Sequence, residues 1–130
     1  MTYSKLQLTA ESSKGHVSNV KLFDYLDQAR REWYHYCTLY DVEAVVVHID
    51  IDYKIEVFHN EKLFIRTWID RVGNTSFTIK QTMMNDRDEL AVSAAVILTT
   101  INRQTRKKIT VPNGIRSLLV NDSMLNVKVK

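Results

Sequence analysis

Cysteine, proline and glycine are nearly missing from this chain. The single cysteine, Cys37, has no intramolecular partner for a disulfide, and a reducing, cytoplasmic setting is the simplest expectation. One proline, Pro112, and three glycines, Gly15, Gly73 and Gly114, are all the breakers there are. Long elements joined by short turns are therefore expected. No stretch approaches the ~20 apolar residues that a membrane helix needs. Met1 to Leu8 hold no apolar run of the secretory type, so no signal segment is expected. A strong excess of one charge is also lacking. The formal charge of +3 suits a phosphate-bearing ligand, but it is too small and too scattered for a nucleic-acid surface.

What is present reads as one soluble domain. Of the 130 residues, 45% are apolar and 25% charged, enough to build a core without disulfides. Ser4–Thr9 reads as a short strand, followed by a polar loop from Ala10 to Ser18. From Asn19 to Tyr40 the apolar period becomes that of a helix. Leu22, Leu26, Ala29, Trp33 and Tyr36 recur at steps of three and four, with Phe23, Cys37 and Tyr40 beside them. Asp24, Asp27, Arg31 and His35 fall away from that stripe. Ser18 or Asn19 is the expected N-cap. Cys37, Trp33 and Tyr36 are read as core or interface residues.

After Asp41 the period becomes two. Val45, Val47, Ile49, Ile51, Tyr53, Ile55 and Val57 alternate with polar residues, which predicts one long strand with a buried face. Strands led by Leu63–Ile69 and Phe77–Met83 follow, joined by a tight Gly73-Asn74 turn. Leu90–Ile101 is apolar on both faces and reads as a central strand. Pro112–Leu119 reads as a short helix, and the tail over 121–130 as either disordered or a further strand. The expected class is α+β, with four long strands in meander order. One helix covers such a sheet only if the sheet curls around it.

Gly15-His16-Val17-Ser18-Asn19-Val20, followed by Leu26, Ala29-Arg30 and Glu32-Trp33, resembles the signature of the 4-hydroxybenzoyl-CoA thioesterase-like family. Ile51-Asp52-Tyr53 with Glu56-Val57, Val72-Gly73-Asn74-Thr75-Ser76, and Val111-Pro112 with Ile115-Arg116 match further family segments. The resemblance runs from about Leu6 to Leu119. It implies a hotdog fold, hydrolysis of an acyl-CoA without a cofactor, and a homodimer or homotetramer whose acyl pockets lie between protomers. It also implies that the Asn19 amide stabilises the oxyanion and that Gly15 admits the thioester. His16 is a catalytic candidate that shapes the loop and meets the substrate carbonyl, and Val17, Ser18, Arg71 and Ser76 are expected to join Gly15 in substrate binding. The chain departs from the pattern at one point: Ser12 occupies the position of the family's catalytic aspartate, and Ala10 replaces a frequent acidic residue.

Thioester hydrolysis needs a group to activate water and a donor for the developing oxyanion. A helix start supplies the donor. Glu11 is the nearest loop carboxylate and the expected base, with Asp24 and Asp27 as alternatives on the helix. Ser12 as nucleophile would depend on His16. His48, Asp50 and Asp52 share one strand face, but nothing completes a metal set. Lys62, Arg66, Arg71, Lys80 and the basic turn Arg103, Arg106, Lys107 and Lys108 are candidate contacts for CoA phosphates. A second reading is an acyl-CoA or acyl-carrier-protein binding hotdog protein without turnover. A third is a dehydratase, whose His-plus-carboxylate helix motif is not found.

Overall fold

The computed structural model describes residues 1–127. Its elements are β1 (Tyr3–Thr9), α1 (Asn19–Thr38), β2 (Val42–Tyr53), β3 (Lys62–Val72), β4 (Ser76–Met84), β5 (Leu90–Asn102) and α2 (Asn113–Val120). The strands form one antiparallel sheet in the order β1-β3-β4-β5-β2. Only β3-β4-β5 is a meander. β2 crosses to the far edge and pairs with β5, which corrects the expectation of four strands in meander order. α1 touches β1, β3 and β2, and thus both edges, so the sheet curls around it.

The inner face is aligned across all five strands. Leu6, Ile65, Met83, Val92 and Tyr53 form one row, and Ile69, Ile79, Val96 and Ile49 form another. β2 joins this pattern through a bulge between Val46 and His48. Ala44 and Val46 face the core before it, and Ile49 and Ile51 face inward after it. The even alternation read from Val45 to Val57 is therefore broken at Val47, which is 56% exposed. The strand also ends at Tyr53, and Val57 is buried from an irregular segment.

The central inner row is polar. Ser4 pairs with Thr67, Thr67 with Gln81, and Gln81 with Ala94. α1 satisfies this row from above. Trp33 Nε1 donates to Ser4 Oγ at 2.8 Å, and Arg30 donates to Gln81 Oε1 at 3.0 Å. Gln81 Nε2 donates to the Leu26 carbonyl and to Thr67 Oγ1. Arg30 also donates to Tyr34 Oη and Asp27 Oδ1. Among the described residues no buried side-chain polar atom lacks a partner. The belt separates two apolar clusters, one around Leu22, Leu26 and Ile65 and one around Trp33, Ile79 and Leu98.

The helical period located α1 correctly and misjudged its rim. Tyr25 and Arg30 are buried, while Phe23 and Tyr40 are 39% and 41% exposed. Tyr40 instead lies over α2, so close to Gly114 that a side chain there would overlap its ring. Beyond α2 the chain returns beside β1. The Leu125 amide donates to the Tyr3 carbonyl at 2.7 Å and Leu125 is buried. The last part of the tail, 128–130, lies outside the described residues. Among the described residues no helix is long and apolar enough to cross a membrane.

Arg30→Ala removes the guanidinium that Gln81 and Tyr34 face and leaves a void beside Ala29. It is expected to cost about 2–4 kcal/mol, measured by chemical denaturation; a loss below about 0.5 kcal/mol would contradict the belt. Cys37 is 2% exposed, and burial pushes its thiol up to about 12. The native protein should resist thiol alkylation at pH 8 and react once unfolded. The raised value favours the protonated native thiol. The stability it contributes is whole below the ordinary thiol range and is lost as pH rises toward 12, which Cys37→Ala should abolish in an alkaline denaturation series.

Candidate active site

The loop from Ala10 to Ser18 has little regular structure of its own and is laid along the turn that follows β2. The Ala10 amide donates to the Glu61 carbonyl and the Asn60 amide to the Ala10 carbonyl, both at 2.8 Å. The His59 amide donates to the Gly15 carbonyl and the Val17 amide to the Val57 carbonyl, both at 2.7 Å. Gly15 sits at φ +90°, a backbone state that strains any L side chain. This is where the loop reverses before entering the helix.

Side chains complete the clamp. Ser12 Oγ donates to the His16 carbonyl and accepts from the Lys14 amide. The Ser12 amide donates to His59 Nδ1 at 2.9 Å, and the Glu11 amide donates to Tyr25 Oη at 3.0 Å. An accepting Nδ1 places the imidazole proton of His59 on Nε2. The Ser12 hydroxyl is thus engaged in holding the loop, with its hydrogen committed to a backbone carbonyl rather than to a base.

Ser18 caps α1 from an extended backbone conformation, φ −68° and ψ 156°. Its Oγ accepts from the Lys21 amide at 3.2 Å and its carbonyl from the Leu22 amide at 3.1 Å. Among the described residues the amides of Asn19 and Val20 are left without an acceptor, as expected for a first helical turn. They carry the positive end of the helix dipole.

These amides border a cleft of about 510 Å³, within the size range of small-ligand sites. One wall is His16, Val17, Ser18, Asn19 and Leu22; the other is Tyr53, Lys54, Ile55, Glu56 and Val57. Tyr53 Oη donates to the Asn19 carbonyl at 3.4 Å across the gap. Of the expected site residues, the structure brings His16, Val17, Ser18 and Asn19 together here. Gly15 and Ser12 stand just behind them in the loop. Glu11 is exposed at the loop's start and is not part of either wall.

Other expected residues lie elsewhere. Arg71 and Ser76 flank the turn at the opposite end of β3 from the loop, roughly 30 Å of strand away. Asp24 accepts from Gln28 and Asp27 from Arg30, so both are drawn along the helix. His48, Asp50 and Asp52 lie on exposed positions of β2. Several candidate phosphate contacts are already engaged: Arg106 with Glu43 through two bonds of 2.9 and 3.1 Å, Lys80 with Asp70 at 3.7 Å, and Arg66 over the Tyr3 ring. The Arg106 guanidinium holds the Glu43 carboxyl below its ordinary range.

Sequence reasoning missed the second wall and the clamp. Lys54 and Glu56 fall among the polar residues that alternate from Val45 to Val57, a pattern that predicts a solvent face rather than a cleft wall, and the strand ends at Tyr53 before them. The run His59-Asn60-Glu61 has the composition of a turn, and Asn60 has φ 72° there.

Solved structures with the same architecture span nearly the whole chain. A DHNA-CoA thioesterase from Staphylococcus aureus matches with a TM-score of 0.73 at 21% identity, over 90% of this chain and 86% of its own. The probable thioesterase YbaW from Escherichia coli matches with a TM-score of 0.77 at 19% identity, over 89% and 96%. The protein SAV2348 of Staphylococcus aureus, solved in complex with CoA, matches with a TM-score of 0.79 at 13% identity, over 92% and 82%. At these identities the likeness shows the fold, which is the hotdog. A search of the curated proteins returns no match. The model of the thioesterase-like superfamily matches residues 10–119, from the loop clamp to the end of α2, and this chain belongs to that family.

Proposed function

We propose that this chain hydrolyses an acyl-CoA thioester to the free acid and CoA, with the Asn19 amide as oxyanion donor. The observation that carries the reading is the pair of unpartnered amides at the start of α1, open to a cleft of 510 Å³. A thioester carbonyl seated against them gains negative charge as water adds, and a fixed donor stabilises that charge without reorganising. The positive dipole end acts in the same sense. Val17 and Leu22 provide an apolar floor for the acyl group, and His16 lines the same wall. The water still requires a carboxylate, and Glu11 on the loop and Glu56 on the opposite wall are two candidates. The CoA held by a neighbour of the same fold supports a CoA-type substrate.

The reading includes a homodimer, or a homotetramer built from it. β2 is an edge strand of twelve residues whose outer pairing groups have no strand beside them among the described residues. Antiparallel pairing with β2 of a second copy sets the Arg71–Ser76 end of one sheet toward the cleft of the other. This gives those two residues a route to the substrate that a single chain lacks. A second reading, acyl-CoA or acyl-carrier-protein binding without turnover, is favoured by Ser12, whose hydroxyl holds the loop where the family has an aspartate.

Asn19→Pro separates these readings. Proline is well tolerated at the first helical position, and the extended Ser18 accommodates it. The substitution removes the amide hydrogen together with the carboxamide side chain, and Asn19→Ala removes the side chain alone. Steady-state hydrolysis of a panel of acyl-CoAs is expected to fall about a hundred- to a thousandfold in kcat relative to wild type. Asn19→Ala, which keeps the amide, should retain far more activity than the proline variant. Equal rates for the proline variant and wild type would overturn the oxyanion role. Binding of acyl-CoA by wild type with no turnover of any substrate would select the second reading.

A further inference from the structure

We propose that Glu56 is the carboxylate that activates water in this site, an inference that rests on the hydrolytic reading above. It is the single carboxylate in the walls of the cleft that contains the Asn19 amide. The chain around it is held tightly. Lys54 and Ile55 both donate their amides to the Ala91 carbonyl, at 2.8 and 3.3 Å. On its other side the buried Val57 accepts from the Val17 amide. Glu56 is thereby anchored one residue from a bond whose partner lies two residues before Asn19.

The other carboxylates near the cleft are placed differently. Glu61 is occupied by the Phe58 amide and by Arg87. Asp24 and Asp27 are drawn along α1 by Gln28 and Arg30. Glu11 lies outside both walls. Among the described residues the Glu56 side chain has no hydrogen-bond or ion-pair partner, so its oxygens are available to a water molecule. Lys54 lines the same wall.

The step balances within the site. The Glu56 carboxylate takes a proton from water, and the resulting hydroxide forms a bond to the thioester carbon. The carbonyl electron pair moves onto oxygen, where the Asn19 amide receives it. When the carbonyl reforms, the carbon–sulfur bond breaks, and the proton passes from Glu56 to the departing thiolate. The products are one carboxylic acid and one CoA thiol, and Glu56 ends ionised as it began. In this chain the base has moved from the loop, where Ser12 now holds the backbone, to the facing wall of the same cleft.

Glu56→Gln keeps the size and polarity of the side chain and removes its basicity. With the wild-type chain active on at least one acyl-CoA, the variant is expected to lose at least a hundredfold in kcat, with KM within about threefold. The acid limb of the wild-type kcat–pH profile should vanish from what remains, and the thermal midpoint should be unchanged. Glu56→Asp should recover part of the loss. Retention of wild-type kcat by Glu56→Gln, or a larger loss in Glu11→Gln measured alongside, would overturn the assignment and leave the thioesterase reading standing. Wild type inactive on every acyl-CoA would overturn both.

Discussion

The position of α1 along the sheet is set by a buried row of polar groups, and everything proposed for the cleft follows from that position. Apolar packing alone specifies a helix axis loosely, because one leucine can replace another after a small slide. The row Ser4, Thr67 and Gln81 cannot be satisfied after such a slide. A shift of one residue moves a helix by about 1.5 Å and turns it by about 100°. That motion would strip Gln81 Oε1 of Arg30 and Ser4 of Trp33, leaving buried polar atoms unpaired at a cost of about 1–3 kcal/mol each. The belt therefore converts a tolerant apolar contact into one axial register, and the N-terminus of α1 takes its place from it.

The loop clamp carries this registration to the site. Backbone bonds from Gly15, Val17 and Ala10 reach four residues of the 57–61 segment, Val57, His59, Asn60 and Glu61, and Ser12, His59 and Tyr25 add side-chain links. These bonds tie the loop to a segment forty or more positions further along the chain. The outcome is a set of amides whose direction is fixed before any substrate arrives. Such preorganisation separates a useful oxyanion donor from an amide that must first be freed from water or from a neighbour. Ser12 serves the clamp, and the facing wall holds the carboxylate of Glu56.

Much of this was legible in the sequence. The step of three and four from Leu22 to Trp33 marks α1 because a helix half-buried on a sheet must repeat that way. The doubly apolar run of β5 marks an interior strand, and β5 does lie between β4 and β2. Gly15 through Asn19 could be recognised because the loop reversal demands glycine and the helix start demands a cap. Other features were hidden for physical reasons. A bulge at Val47 leaves no compositional trace when valines occur on both sides of it. The far-edge location of β2 is a long-range pairing that local alternation does not encode. Arg30 reads as a surface charge until Gln81, fifty-one positions away, is seen beside it. Glu56 continues an alternating pattern beyond the true end of the strand, so its place in the cleft wall depends on a contact between Val57 and Val17 that no spacing rule reveals.

The central claim is that the amides of Asn19 and Val20 receive the carbonyl oxygen of the substrate. The most direct test is a nuclear magnetic resonance titration of the amide-labelled protein with a ketone analogue of acyl-CoA, in which a methylene replaces the thioester sulfur and hydrolysis is impossible. The account predicts saturable downfield shifts of the Asn19 and Val20 amide protons, largest among all backbone signals. Binding that left these two signals unmoved, with shifts gathered instead on the outer sheet face around Trp68 and Lys80, would contradict it.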